Sequence, residues 1–239
     1  MRVAFKTDVG RKRTHNEDSI VVDESMKIFL LADGMGGRQA GEVASNLAVK
    51  ECYAWLKENY DRTKREKNIS NLLVESLLKA HDAVKAKSMT DINLMGMGTT
   101  LTEMVINNFG AYICHIGDSR AYILRDEIKQ ITKDHTTEMY FIKDAIVVKG
   151  NPPLQKMRVL TQAVGAQETI VPEVKQVELK PADILLLCSD GLTDMLSDKE
   201  IESIVQKYRD NLVVIAESLI QAANDKGGID NISVILIEY

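Results

Sequence analysis

Aspartates close off apolar, strand-like runs at four separate places in this chain, and that arrangement restricts its fold more than any other feature. Ile28-Phe29-Leu30-Leu31-Ala32 runs into Asp33-Gly34-Met35-Gly36-Gly37, and Ala111-Tyr112-Ile113-Cys114-His115-Ile116-Gly117 runs into Asp118-Ser119-Arg120. Ile184-Leu185-Leu186-Leu187-Cys188-Ser189 runs into Asp190-Gly191, and Gly227-Gly228-Ile229-Asp230-Asn231 precedes the closing run Ile232 to Tyr239. A single Asp-Gly pair is an ordinary turn, because glycine takes positive φ and aspartate bonds its own backbone. Four strand-edge aspartates, two of them followed by glycine, call for another explanation. Buried strands hold their ends rigidly, so four such ends can converge carboxylates on one spot. Carboxylates at close range repel one another unless cations lie between them. Oxygen-only ligands select hard divalent ions, magnesium or manganese above all. The chain therefore reads as a multi-metal site on a sheet scaffold.

The bulk composition narrows the alternatives. At 239 residues the chain can bury a sizeable core, and 45% hydrophobic with 27% charged residues is ordinary for a soluble globular protein. A net charge of −5 argues against a nucleic-acid binder. The opening Met1-Arg2-Val3-Ala4-Phe5-Lys6 lacks a signal-peptide core, and no run approaches the ~20 apolar residues of a membrane span. Three cysteines without paired spacing fit a reducing compartment. The expectation is a cytoplasmic, monomeric, single-domain protein over residues 1–239.

Periodicity gives the order of elements. Residues 2–9, 19–23 and 27–32 read as strands, the first two flanking the basic turn Gly10-Arg11-Lys12-Arg13. From Glu42, Val43, Leu47, Ala48, Cys52, Trp55 and Leu56 fall at helical spacing, and a second helix over 70–86 aligns Leu73, Leu77, Ala80 and Val84. Strands follow over 99–107, 110–116, 120–125, 172–179 and 183–188, then helices over 198–208 and 211–225, then the last strand. Residues 134–160, broken by Gly150 and Pro152-Pro153, read as an irregular flap. The order predicts an α+β fold, a sandwich of two mainly antiparallel sheets flanked by antiparallel helix pairs (αββα).

A pair of hard metals caged by carboxylates in a water-filled cleft suits hydrolysis at phosphorus. Such a site needs a phosphate-binding cation, and Arg13, three residues before Asn16-Glu17-Asp18, is the candidate because a planar guanidinium meets two phosphate oxygens. Arg13-Thr14-His15-Asn16-Glu17-Asp18, Asp33-Gly34-Met35-Gly36-Gly37, Met97-Gly98-Thr99-Thr100, Gly117-Asp118-Ser119-Arg120, Ser189-Asp190-Gly191 and Asp230-Asn231 together resemble the motif set of the metal-dependent protein phosphatases. These are the type 2C serine/threonine phosphatases, and the chain is most similar to their short bacterial members. The resemblance implies that Asp33 bridges two core ions, Mn2+ or Mg2+, with the Gly34 carbonyl on the second. Asp190 and Asp230 would complete the first ion's shell, and Asp18 would act mainly through waters. Asp118 with Asp190 would hold a weaker third ion. Arg13 would bind the substrate phosphate, and metal-activated water would attack it. The implied substrates are phosphoserine and phosphothreonine in proteins, opposing cytoplasmic Ser/Thr kinases.

Two departures from the family pattern stand out. Arg38 occupies a position where many relatives have histidine, and a guanidinium cannot protonate a leaving alkoxide at neutral pH. The flap also lacks the Gly-x-Ile plus acidic helix pattern of bacterial relatives. Other readings remain open: hydrolysis of small or non-protein phosphate esters, and a non-catalytic binding module, although Asp33, Asp190 and Asp230 are all retained. Cys114 and Arg120 have the Cys-x5-Arg spacing of cysteine-dependent phosphatases, but Cys114 alternates as a small core residue. Structural roles are expected for His15, His81, His115 and His135, with His81 facing solvent.

Overall fold

A computed structural model describes residues 1–36, 40–60, 66–142 and 154–239. Its strands build two large sheets and one two-stranded ladder. The first takes β1 (Arg2–Asp8), β7 (Arg120–Leu124), β8 (Ile128–Gln130), β12 (Ile184–Cys188) and β13 (Ile232–Glu238) in the order β1-β13-β12-β7-β8. The second takes β2 (Asp18–Asp23), β3 (Ile28–Met35), β5 (Leu101–Asn107), β6 (Gly110–Ile116) and β11 (Glu173–Val177) in the order β11-β6-β5-β3-β2, with the short β4 (Gly98–Thr99) on β3. Every pairing in both sheets is antiparallel.

Alternation along each strand explains why the runs are apolar throughout. Phe29 and Leu31 of β3 meet Leu185 and Leu187 of β12 and Ile235 and Ile237 of β13 between the sheets. Ile28, Leu30 and Ala32 point the other way, under α1 (Ala40–Asn59) and α2 (Glu66–Ser88). Ile184, Leu186 and Cys188 lie under α4 (Asp198–Lys207) and α5 (Leu212–Asp225). A strand covered on both faces gains by apolar burial at every position, roughly 1.5–3 kcal/mol for each large side chain. The αββα expectation holds, with three apolar layers.

The first two helices begin earlier than the sequence periodicity suggests, whereas α4 and α5 begin within one residue of it. The buried stripe of α1 is Ala40, Ala44, Ala48, Cys52 and Leu56, with Val43 and Leu47 at its margin. On α2 the stripe is Leu73, Leu77, Ala80 and Val84, as expected. His81, expected on the solvent side, is 3% exposed instead, and its Nδ1 accepts from the Gly165 N–H at 3.1 Å. A backbone donor supplied by a distant loop engages Nδ1, while the buried Nε2 has no partner among the described residues, and sequence spacing gives no sign of either. A four-residue turn of helix, α3 (Asp190–Thr193), follows β12 directly.

The expected irregular flap is regular at both arms. β9 (Thr136–Ile142) and β10 (Leu154–Leu160) form an antiparallel ladder with Thr136 opposite Leu160 and Ile142 opposite Leu154. Residues 143–153, including Gly150 and Pro152-Pro153, lie outside the described residues, as do Gly37, Arg38 and the 61–65 connector.

Candidate metal centre

The two sheets bring their aspartate-bearing ends together at one edge of the sandwich. Asp18 stands opposite Asp33 in the β2–β3 pair. The Asp33 backbone is held from several sides: its N–H donates to Thr100 Oγ1 at 2.9 Å, while its carbonyl accepts from Thr100 N–H and Thr99 Oγ1, both at 2.8 Å. From the opposite sheet, Ser189 Oγ donates to Asp18 Oδ2 at 2.8 Å and accepts from the Ser233 N–H. Asn231 clamps the remaining segment. Its Nδ2 donates to the Val9 and His15 carbonyls, and its Oδ1 accepts from the Glu17 N–H at 2.8 Å. Glycine permits the closest approaches. A Cβ on Gly34 would stand 2.1 Å from the Gly41 carbonyl oxygen, and one on Gly191 would stand 2.0 Å from that of Asn231.

Arg13, Asp33, Gly34, Asp118, Asp190 and Asp230 line one cavity of about 250 Å³, with Arg158 and Leu160 of β10 on another side. Asp18 is buried, 9% exposed. Burial pushes the Asp18 carboxyl up to about 6 against the hydrogen bonds from Ser233 and Ser189. Asp33 rises well above the ordinary carboxylate value through burial first, then through the charges of Asp18 and Asp190. Asp190 is raised to about 7 by burial and by Asp118, Asp194 and Asp230. Asp118 reaches about 6 through burial, which the Arg158 charge opposes. Such a crowd of mutually repelling carboxylates is short of positive charge.

The hydrogen bonds locate the deficit. Asp18 Oδ1 and Asp190 Oδ1 are buried and accept no hydrogen bond among the described residues. An anionic oxygen in that state costs free energy unless a cation or donor reaches it. Oxygen donors only, with buried carboxylate oxygens left unsatisfied, fit magnesium or manganese. Among the described residues, no three carboxylates or imidazoles already stand at the mutual spacing of ligands around a single ion. Asp230 accounts for part of this: its Oδ2 accepts from Arg13 Nη2 at 2.7 Å and its Oδ1 from the Asn231 N–H at 2.8 Å. Asp118 likewise faces a guanidinium, with Arg158 Nη2 3.6 Å from its Oδ2.

The remaining candidates separate cleanly. Burial raises the Cys114 thiol well above its ordinary value, and Arg120 is committed to Asp134 through Nε at 2.9 Å and Nη2 at 2.8 Å. That arrangement leaves no thiolate and no free guanidinium for a cysteine-dependent mechanism. His115 is buried and lowered to about 4 by desolvation, with His135 adding to the effect. Its Nδ1 pairs with Thr102 Oγ1 and its Nε2 with the Gly117 carbonyl. The Gly117 carbonyl fixes the tautomer, since Nε2 must donate to it. His135 Nδ1 accepts from the Gly117 N–H at 3.1 Å. Both rings therefore steady the turn that carries Asp118. The sequence reasoning passed over Ser189, Thr100 and Arg158. The first two sit inside the quoted motifs, but only Ser189 adjoins a strand-end aspartate; Arg158 carried no signal.

The profile of the family described as Protein phosphatase 2C matches residues 9–226. The chain is 35% identical over 246 residues to "Serine/threonine phosphatase stp" of Listeria monocytogenes, covering 100% of this chain and 96% of the relative. It is 36% identical over 245 residues to "Protein phosphatase PhpP" of Streptococcus pneumoniae, covering 99% and 97%. The crystal structure of the Mycobacterium tuberculosis serine/threonine phosphatase PstP/Ppp superposes with a TM-score of 0.82 at 31% identity, over 100% of this chain and 99% of that one. The catalytic domain of PstP in complex with two manganese ions gives 0.80 at 32% identity, over 99% and 97%. The chain belongs to the protein phosphatase 2C family.

Proposed function

We propose that this chain is a metal-dependent serine/threonine protein phosphatase whose residues 1–239 act as one catalytic unit, opposing Ser/Thr kinases in the cytoplasm. The observation that carries the reading is the pair of buried carboxylate oxygens, on Asp18 and Asp190, that find no donor among the described residues, beside a cavity lined by Arg13. Asp33, the Gly34 carbonyl, Asp190 and Asp230 would hold two manganese or magnesium ions, with Asp18 behind them and a weaker third ion at Asp118 and Asp190. When bound, two such ions supply an activated water and neutralise charge on the attacked phosphoryl group.

The chain's own residues prepare the rest. Arg13 is half-exposed on the cavity wall, so its guanidinium can turn from Asp230 to two oxygens of an incoming phosphate. Once a cation takes over Asp230, that exchange leaves no carboxylate unpaired. Ser189, itself held by the Ser233 N–H, fixes Asp18 Oδ2, so the unpartnered Oδ1 keeps a single orientation. Buried free thiols at Cys52, Cys114 and Cys188 support a reducing compartment. The relatives named serine/threonine phosphatase support phosphoproteins as substrates.

The test measures turnover of phosphothreonine peptides and of nucleotides with manganese, with magnesium and with EDTA, on wild type and Asp33→Asn. Peptide turnover should need the metal and fall in Asp33→Asn by more than the 10–100-fold, roughly, that an outer-shell partner contributes. Preference for nucleotides would redirect the reading to small esters. Full activity in EDTA would end it.

A further inference from the structure

A guanidinium carried by the β9–β10 ladder reaches the cavity. Arg158 lies on β10, and its Nη2 bonds Asp134 Oδ2 and stands 3.6 Å from Asp118 Oδ2, while its Nη1 is 3.8 Å from Asp194 Oδ1. Asp134 does not require this second cation, since Arg120 already grips both its oxygens and Gln130 Nε2 donates to Oδ1 at 2.9 Å. Arg158 is therefore a shared cation, hydrogen-bonded to Asp134 and standing at ion-pair distance from Asp118 and Asp194. Its tether is short. His135 N–H donates to the Gly117 carbonyl at 2.7 Å, and Thr161 N–H to the His135 carbonyl at 2.8 Å, so the hairpin is fastened to the Asp118 turn at its root.

We propose that Arg158 is a tethered counter-cation for the Asp118 side of the cavity, so that its guanidinium and a divalent ion on Asp118 exclude one another. The inference rests on reading Asp118 and Asp190 as ligands of the third ion. A magnesium or manganese ion bonds carboxylate oxygen at about 2.1 Å. An ion on Asp118 Oδ2 would thus press its charge against a guanidinium now 3.6 Å from the same oxygen. Third-ion binding must move Arg158 and the β10 arm that carries it. Linkage makes the effect reciprocal: whatever draws Arg158 away strengthens the ion, and the ion loosens the hairpin's hold on the cavity. The third ion is weak for a reason written in this chain, namely that it competes with a cation supplied by the same molecule.

Calorimetric titration of the metal-stripped chain with Mn2+ tests this, using wild type, Arg158→Ala, Arg158→Lys and Asp118→Ala/Arg158→Ala. Two ions should bind all four proteins alike. Third-ion affinity should rise about tenfold in Arg158→Ala, stay near wild type in the charge-preserving Arg158→Lys, and vanish in the double variant. Amide hydrogen exchange over 154–160 should accelerate in wild type, but not in the double variant, as Mn2+ passes the third-ion range. A third-ion affinity within about twofold of wild type in Arg158→Ala, or only two ions in both, overturns the proposal while leaving the two-ion reading intact. Fewer than two ions in wild type overturns that reading and the proposal with it.

Discussion

Replacing Glu103 by glutamine should stabilise this protein progressively as the pH rises. Glu103 lies on the face of β5 that looks toward α1 and α2, with no exposed surface. Its Oε2 accepts from Ser76 Oγ at 2.7 Å and from Cys52 Sγ at 2.9 Å, while Oε1 has no hydrogen-bond partner. Desolvation raises its pKa from the ordinary 4.5 to about 8, against the opposing bonds from Cys52, Ser76 and Cys114. The folded value exceeds the unfolded one, so the folded chain holds a proton that the unfolded chain has released. Stability is therefore unaffected below pH 4.5, falls as the pH climbs, and levels off above about 8. Each pH unit in that window costs about 1.4 kcal/mol, and the full span sets a ceiling of ~5 kcal/mol, a large fraction of a typical domain's stability. Glutamine has nearly the same shape and does not titrate. Urea unfolding followed by fluorescence of the single tryptophan, with chelator present, should show the Glu103→Gln advantage widening from pH 5 to pH 8 by several kcal/mol, on the order of that ceiling. A gap that stays constant across the range would refute the reasoning.

The metal cavity yields two further expectations. Arg13→Ala removes the hydrogen bond to Asp230 Oδ2 together with the proposed phosphate clamp. It should raise KM for phosphopeptides about tenfold while changing kcat less, as steady-state kinetics would reveal; an unchanged KM would deny Arg13 the phosphate. The raised carboxyls of Asp18, Asp33 and Asp190 make the metal-free protein lose stability as the pH rises from 3.8 toward about 7, and cations should restore it. The rise in Tm on adding manganese should therefore be larger at about pH 8 than at about pH 5.5. Equal rises at both would show that these groups do not take up protons in the empty cavity.

Much of this was legible before any coordinates. Period-two and period-3.6 patterns located the strands and helices because burial on a sheet face or helix stripe leaves its mark on neighbouring residues. The aspartates at strand ends were legible too, since a carboxylate beside an apolar run is locally anomalous. What local pattern cannot carry is the choice of partner across the chain. His81 looked like a surface residue until a loop donor from Gly165 enclosed it. Arg158 was one charge among thirty basic residues until the β9–β10 ladder delivered it to Asp118.

The linear order of residues thus dictated the layers of the sandwich and the cast of acidic groups at its edge. Only the folded packing decided which cation each carboxylate faces: Arg13 for Asp230, Arg158 for Asp118, and none among the described residues for the inner oxygens of Asp18 and Asp190. The reason is range. Burial is recorded within a few neighbouring residues, whereas a charge interacts with whatever the tertiary fold sets within a few ångströms of it.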